Sequence, residues 1–369
     1  MTLRGAVAIW VGPIVIASAV VGMRLARRAR PPEAISPPAA VAGATIGPQR
    51  VEVQRSLMST WVRIIAYGDD RQEVARAIRS AFGRMSVLER ELSRFDSDSD
   101  VSRINSAPAG TPVTVGEDTW QVLAAAHTAW QRTGGVFDVT VGPLIALWRR
   151  SAERGRLPTE EELGRARACV GLDRARLLHE VRQVVLTEPG MSIDLGGVAK
   201  GYIVDRAVDL LRERSIISAL VDAGGDIRVL GPRGDGRPWV TAVRNPETED
   251  GRPFPATLAV SDVAVVTSGS YARYVEIAGR RYTYIIDPRT GRPETTVASS
   301  TVIGPDATSA DALATALAVL GREEGIALIE SLPQYECLII TGEGEGRTLS
   351  RSSGFARYEM PSPPEVLHP

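Results

Sequence analysis

The sequence is poor in the side chains that build metal cages and redox centres, with two cysteines (Cys169 and Cys337) and three histidines (His127, His179 and His368). This excludes a disulfide scaffold and a cysteine-rich zinc or iron–sulfur site, and leaves almost no imidazole chemistry. Net charge is lacking as well, because 43 basic residues stand against 44 acidic ones. Without a local excess of cations to neutralise phosphates, the chain does not read as a dedicated nucleic-acid binder. Lysine is scarcer still: 42 of the 43 basic residues are arginine, and the exception is Lys200. An ammonium is a compact point charge and a guanidinium a planar fork, so the position that keeps lysine reflects either chance or a crowded site beside a phosphate.

What is present describes an ordinary globular protein, since 369 residues of which 44% are hydrophobic can bury a substantial core. That length allows two or three domains, or one elaborate one. From Gly5 to Met23 no residue is charged, and 19 residues at about 1.5 Å each nearly cross a hydrocarbon layer of roughly 30 Å. Arg4 alone precedes this stretch, while Arg24, Arg27, Arg28 and Arg30 come after it, so residues 1–30 read as an uncleaved membrane anchor with a basic flank. Those arginines favour a cytoplasmic location for the rest of the chain. Residues 31–50 are rich in proline and alanine and read as an extended linker, and 357–369 read as a flexible tail.

Between them, residues 51–356 are predicted to fold as one α+β domain with a mainly antiparallel sheet and segregated helices. Alternating apolar residues from Val51 predict a strand pair, and helical spacing follows from about Glu73 to Phe95 and again over 118–133. A helical excursion is expected over 152–177. Short strands dominate after Gln183, interrupted by helices at about Tyr202–Arg214 and Ala310–Leu320.

Three segments carry candidate chemistry. In Ser192-Ile-Asp-Leu-Gly-Gly-Val-Ala-Lys-Gly201, a strand is expected to end at Asp194, and Gly196 and Gly197 turn the chain into a helix. The segment reads either as an anion site at a helix start, with Lys200 beside it, or as a tight strand-to-helix turn. In the second segment, Asp311 and Thr315 stand four apart on one helix face, with Gly321 as a natural stop. A carboxylate and a hydroxyl so placed can hold a hard cation such as Mg²⁺, though an acidic residue near a helix start is also favoured by the dipole alone. The third, Arg281 to Pro293, is a strand running into Asp-Pro and Thr-Gly turns, which brings Tyr284, Asp287 and Arg289 onto a hairpin loop. Similarly, a turn before Gly134–Pro143 is expected to lead into a strand with Phe137 and Asp138 on opposite faces.

Taken in order, these elements resemble the FAD:protein FMN transferase (ApbE) family from about Met58 to Leu349. Met58-Ser-Thr is similar to the family's Met-Gly-Thr opening, with serine in the glycine position, and FDSDSDVSRIN from Phe95 to an aromatic, polar-turn, Ser-Arg-aromatic-Asn element. GGVFDVTVGPL, IDLGGVAKGYIVD, VDAGGDIRVLG, YIIDPRTGRP and DALATALAVLG complete seven collinear matches. The resemblance implies an ApbE-like (T-fold-like) domain that binds FAD, transfers FMN to a threonine hydroxyl of an acceptor flavoprotein in the presence of Mg²⁺, and releases AMP. It places Met58, Phe95, Val136, Phe137, Asp138, Asp194, Lys200 and Ile285 at the flavin and pyrophosphate. It makes the Gly197 carbonyl, Asp311 and Thr315 the protein ligands of Mg²⁺. The acceptor would be a subunit of a membrane redox complex, with catalysis outside the cytoplasm, opposite to what the arginine flank suggests.

One departure bears on catalysis, because Tyr284 stands where the family has histidine before Ile-Ile-Asp-Pro. An imidazole titrates near neutrality and a free phenol near pH 10, so Tyr284 can donate a hydrogen bond but would make a poor general base. Either Asp287 takes that role or transfer is slow, with Lys200, Tyr284 and Asp287 as the catalytic candidates. FAD hydrolysis to FMN and AMP, and FAD binding without turnover, are the alternative functions.

Overall fold

The computed structural model describes residues 48–248, 253–269, 274–342 and 344–361. The chain opens with a hairpin of β1 (Gln49–Leu57) and β2 (Thr60–Gly68), succeeded by helices α1 (Arg71–Glu91) and α2 (Asp100–Ser106). The short strand β3 (Val113–Thr114) leads to α3 (Glu117–Arg132), α4 (Gly142–Arg154) and α5 (Glu160–Arg167). Strands β4 (Ala175–Leu178) and β5 (Gln183–Leu186) join β3 in a small sheet before α6 (Ala199–Glu213). Then come β6 (Ser218–Ala223), β7 (Asp226–Leu230), β8 (Trp239–Val243), β9 (Ala256–Val260) and β10 (Ala264–Gly269). Two small hairpins come next, β11 (Tyr274–Ile277) with β12 (Arg280–Thr283), and β13 (Ile286–Asp287) with β14 (Arg292–Pro293). The last elements are β15 (Val297–Gly304), α7 (Ala307–Glu330), β16 (Glu336–Thr341) and β17 (Thr348–Arg351).

Eight strands form one antiparallel sheet in the order β1-β2-β6-β7-β10-β15-β16-β17. Successive side chains point to opposite faces, so Val62, Ile64 and Ala66 of β2 join α1, α3, α6 and α7 in the main core. Ile65 turns the other way, to a second layer where the β8–β9 hairpin and Phe355 cover the sheet. A satellite cluster gathers Leu144, Ile145, Leu147 and Trp148 of α4 with Leu163, Val275, Ile277 and Ile286.

The α+β architecture with a mainly antiparallel sheet is as expected, but several local readings differ. Residues 136–141 and 191–195 are not strands. Their backbone groups are met singly: Asp194 N donates to Val139 O (2.7 Å), Val141 bridges Ser192, and the Asn105 side-chain amide bonds both Ile193 N and O. Asn105 thus takes the place of a neighbouring strand. The second difference is α4, whose Pro143 near its start and buried residues at helical spacing make it a helix from Gly142. Helix α6 begins at Ala199, three residues before Tyr202. Gly321 leaves helical geometry (φ 77°, ψ −168°), yet the helix resumes beyond it to Glu330. Buried residues surround α7 on nearly every side, as for a helix enclosed by sheet and neighbours.

The first described strand begins at Gln49, two residues before Val51, and of the residues expected as a tail those described are attached to the fold, Met360 N donating to Thr257 O (2.8 Å). The span expected at Gly5–Met23 lies outside the described residues, among which no helix is long and apolar enough to cross a membrane.

Candidate active site

The glycine turn of residues 195–198 runs into α6 at one end of the main sheet. Asp194 shapes it by accepting a hydrogen bond from Gly196 N on Oδ1 (2.8 Å), while its Oδ2 meets Arg94 Nε at 2.9 Å. Gly197 is wedged between two candidate groups: a Cβ there would lie 3.1 Å from Thr315 Oγ1 and 3.2 Å from a ring carbon of Phe137. The fold thereby brings the Gly197 backbone, Thr315 and Phe137 to one point. Thr315 Oγ1 also lies 3.3 Å from Ser268 Oγ near the end of β10.

Helices α6 and α7 cap each other. Asp311 of α7 accepts from Gly201 N of α6 (3.0 Å), and Asp205 of α6 accepts from Ala307 N (2.9 Å), Thr308 N (2.8 Å) and Thr308 Oγ1 (2.6 Å). Each carboxylate meets free amides at the positive end of the other helix. Burial nevertheless holds the Asp205 carboxyl above its ordinary pKa, the hydrogen bonds from α7 opposing that shift. The approach is close enough to demand glycine, since a Cβ on Gly201 would lie 2.2 Å from Ala307 O. Lys200 then reaches β7, where its Nζ lies 2.9 Å from Oδ2 of the fully buried Asp226.

The oxygen donors of Gly197, Asp311 and Thr315 suit Mg²⁺, which commonly takes one or two carboxylates with other oxygens. Gly197 and Thr315 are near neighbours, and Asp311 sits one turn before Thr315 on the same helix. Among the described residues no group of three His, Cys, Asp or Glu side chains could hold a metal, which argues against a carboxylate or imidazole cage.

The remaining candidates stand on loops. Met58 and Ser59 both take positive φ (52° and 58°) in the two-residue turn of the β1–β2 hairpin, where glycine would be unstrained at the Ser59 position. Met58 N donates to Glu89 Oε1 (2.7 Å), and Met58 and Ile285 both pack against the main core. Phe95 is 76% exposed, whereas Val136, Phe137 and Asp138 are buried. The Asp138 carboxylate is turned into the protein, accepting from Thr140 N (2.7 Å), Thr140 Oγ1 (2.6 Å) and Leu172 N (2.9 Å). Burial pushes its pKa up against the opposing pull of those bonds. Tyr284 packs on the satellite cluster. Asp287, also buried, binds Arg289 through N (2.8 Å), Nε (3.0 Å) and Nη2 (3.1 Å), and this contact raises the arginine's pKa. The loop is seated on α4 by Trp148 Nε1, which donates to Gly291 O at 2.8 Å.

Arg94, Asp205, Asp226 and Ser268 were missed in the sequence. Asp205 alone left a signal, as a carboxylate on the buried Gly201–Asp205–Val208 stripe of α6. A cavity of about 650 Å³ between α1, α3 and α6 lies apart from these groups, and its Asp118 is already joined to Arg84 and the Tyr202 hydroxyl.

Fold and candidate site define a class: α+β proteins in which two helix starts meet beside a mainly antiparallel sheet. The model of the ApbE family matches residues 58–339, and the chain belongs to that family. A Vibrio cholerae protein named FAD:protein FMN transferase is 37% identical over 271 residues, spanning 73% of this chain and 80% of its own. The Escherichia coli K12 protein of the same name is 32% identical over 295 residues, spanning 78% and 83%. Among solved structures, the flavin transferase ApbE of Vibrio cholerae superposes with a TM-score of 0.72 at 31% identity, covering 84% of this chain and 99% of its own. The ApbE protein of Thermotoga maritima gives 0.75 at 34%, covering 85% and 100%.

Proposed function

We propose that the protein is an FAD:protein FMN transferase that works with Mg²⁺, moves FMN from FAD to a threonine hydroxyl of an acceptor flavoprotein, and releases AMP. The observation that carries this reading is the close approach of the Gly197 backbone to Thr315 and of Gly201 N to Asp311, with Lys200 held on Asp226, in a chain related to proteins that bear the transferase name. Gly197, Asp311 and Thr315 would hold Mg²⁺, which when bound supplies positive charge to pyrophosphate oxygens. Phe95, Val136, Phe137, Asp138, Met58 and Ile285 would frame the flavin side, and Asp194 the turn beneath it.

In the reaction the threonine Oγ bonds to the FMN phosphorus, the bond from that phosphorus to the bridging oxygen breaks, and the electron pair leaves with AMP. Lys200, held by Asp226, offsets charge on the leaving phosphate, and the chain's remaining work is to position the hydroxyl. The hydroxyl proton passes to Asp287, which must release Arg289 to take it, with Tyr284 as a hydrogen-bond donor beside it. That requirement predicts slow transfer.

Incubating the purified full chain with FAD, Mg²⁺ and a threonine-bearing acceptor should leave covalent flavin fluorescence on the acceptor and release one AMP per flavin. AMP without labelling would replace transfer by hydrolysis, and FAD binding without AMP would leave only a flavin-binding protein. The uncharged stretch Gly5–Met23 supports membrane anchoring. We place the catalytic domain outside the cytoplasm, beside an acceptor in a membrane redox complex. A carboxyl-terminal fusion reporter that is active only in the cytoplasm would overturn that placement if it lit up.

A further inference from the structure

Phe95 presents a physical problem that its neighbours solve. With 76% of its surface exposed, the ring is not oriented by burial, and an exposed phenylalanine forgoes the favourable transfer that usually fixes it. The turn that carries it, residues 93–99 between α1 and α2, is stiff: Ser99 Oγ donates to Ser93 O (2.5 Å), Ser93 Oγ accepts from Phe95 N (3.1 Å), and Asp96 Oδ1 accepts from Asp98 N (3.0 Å). Arg94 then ties the turn to the active site. Its guanidinium carbon lies 4.6 Å from the centroid of the Phe95 ring, and its Nε lies 2.9 Å from Asp194 Oδ2. The other oxygen of Asp194 accepts from Gly196 N. A continuous line of contacts therefore runs from an exposed aromatic face, through guanidinium and carboxylate, to the glycine turn before α6.

We propose that Arg94 is a positioning residue that fixes the Phe95 ring as a stacking plate beside the glycine turn, so that the isoalloxazine of FAD docks on a surface already ordered. The inference rests on the FAD reading of the site. Arginine suits the task because one planar group can lie against a ring while its edge donates to a carboxylate, which an ammonium does poorly. Ordering the plate before the ligand arrives removes part of the entropy cost of binding. The role concerns affinity more than the chemical step, because Arg94 acts through Phe95 and Asp194.

The test uses the full chain, with FAD affinity from flavin fluorescence and kinetics measured against FAD at saturating acceptor. Arg94→Ala should weaken FAD binding about two- to tenfold, the cost of leaving one side chain to be ordered on binding, raising KM for FAD in step while kcat changes by less than about twofold. Phe95→Ala should do the same, and the double variant should be no weaker than the worse single one, since ring and guanidinium act as one unit. Bound flavin should be brighter in both variants than in the unaltered protein, because a stacked isoalloxazine is quenched. Arg94→Lys should recover only a small part of the affinity. Additive losses, or a fall in kcat at constant KM, would overturn the proposal. If Arg94→Ala fails to fold, as judged by its thermal transition, the exposed Phe95→Ala still decides: FAD binding equal to that of the unaltered protein overturns the inference. Unaltered protein that does not bind FAD overturns the FAD reading together with this one, whereas FAD binding unaffected by Arg94→Ala overturns this one alone.

Discussion

The helix-start half of the site and its loop half differ in what holds them. Asp311, Thr315, Gly197 and Lys200 stand on or beside α6 and α7, which are packed into the main core and whose amides are bound by each other's carboxylates. Tyr284 and Asp287 stand on a hairpin seated on a smaller cluster around α4, and Phe95 on an exposed turn. The first half permits almost no change, since even a methyl group on Gly201 would strike the backbone of α7. It is in the second that Tyr284 stands where the resemblance expects histidine. The candidate cation ligands thus stand where packing makes motion most expensive.

Five substitutions would break or sharpen that contrast. Asp311→Ala should lower turnover roughly a thousandfold, in keeping with several kcal/mol of charge stabilisation, and should also destabilise the fold by about 1–3 kcal/mol by stranding Gly201 N. Turnover within tenfold of the unaltered protein at saturating Mg²⁺ would remove the metal assignment. Lys200→Arg should cost about a hundredfold in turnover, because a planar fork cannot replace a point charge held against Asp226. Asp226→Asn should shift turnover in the same direction, and full activity in both would detach the pair from catalysis.

On the loop side the expected effect is a gain. Tyr284→His should raise turnover about tenfold or more, with a new rise in rate near pH 6.5 as the imidazole loses its proton. Its thermal transition should barely move, and a rate unchanged across that pH range would exclude proton transfer at this position.

The smallest effect concerns Asp138, whose folded-state pKa burial raises above the ordinary 3.8. The native state then binds a proton that the unfolded chain has released, so this contribution is greatest below 3.8 and is lost as pH rises through the raised value. Asp138→Asn, which cannot ionise, should flatten the decline in denaturant-measured stability over that window. A slope unchanged by the substitution would move its origin elsewhere.

Much of the helix-start half was legible because its signals are local. Gly196–Gly197 before α6, and Asp311 four before Thr315, are spacings that helix geometry converts directly into position. Partners brought in by the sheet were not legible: Asp226 reaches Lys200 only because β7 lies under α6, and Arg94 reaches Asp194 across a hundred positions of chain. Apolar alternation over residues 136–141 misled for a related reason. Residues 136–140 are all buried instead of alternating, and strand pairing requires a neighbouring backbone, whereas here Asp194 N and Ser192 supply isolated contacts. Helix α4 was legible in principle from Gly142-Pro143 and the apolar positions after it.

The exchange of carboxylates between α6 and α7 has a kinetic consequence. The amide hydrogens of Gly201 and Thr308 cannot swap with deuterium unless both helix starts separate, so the two should exchange at one shared rate, slower than the amide of Phe95. The two helix starts would thereby open and close as a single cooperative unit, with no intermediate in which one wall stands without the other.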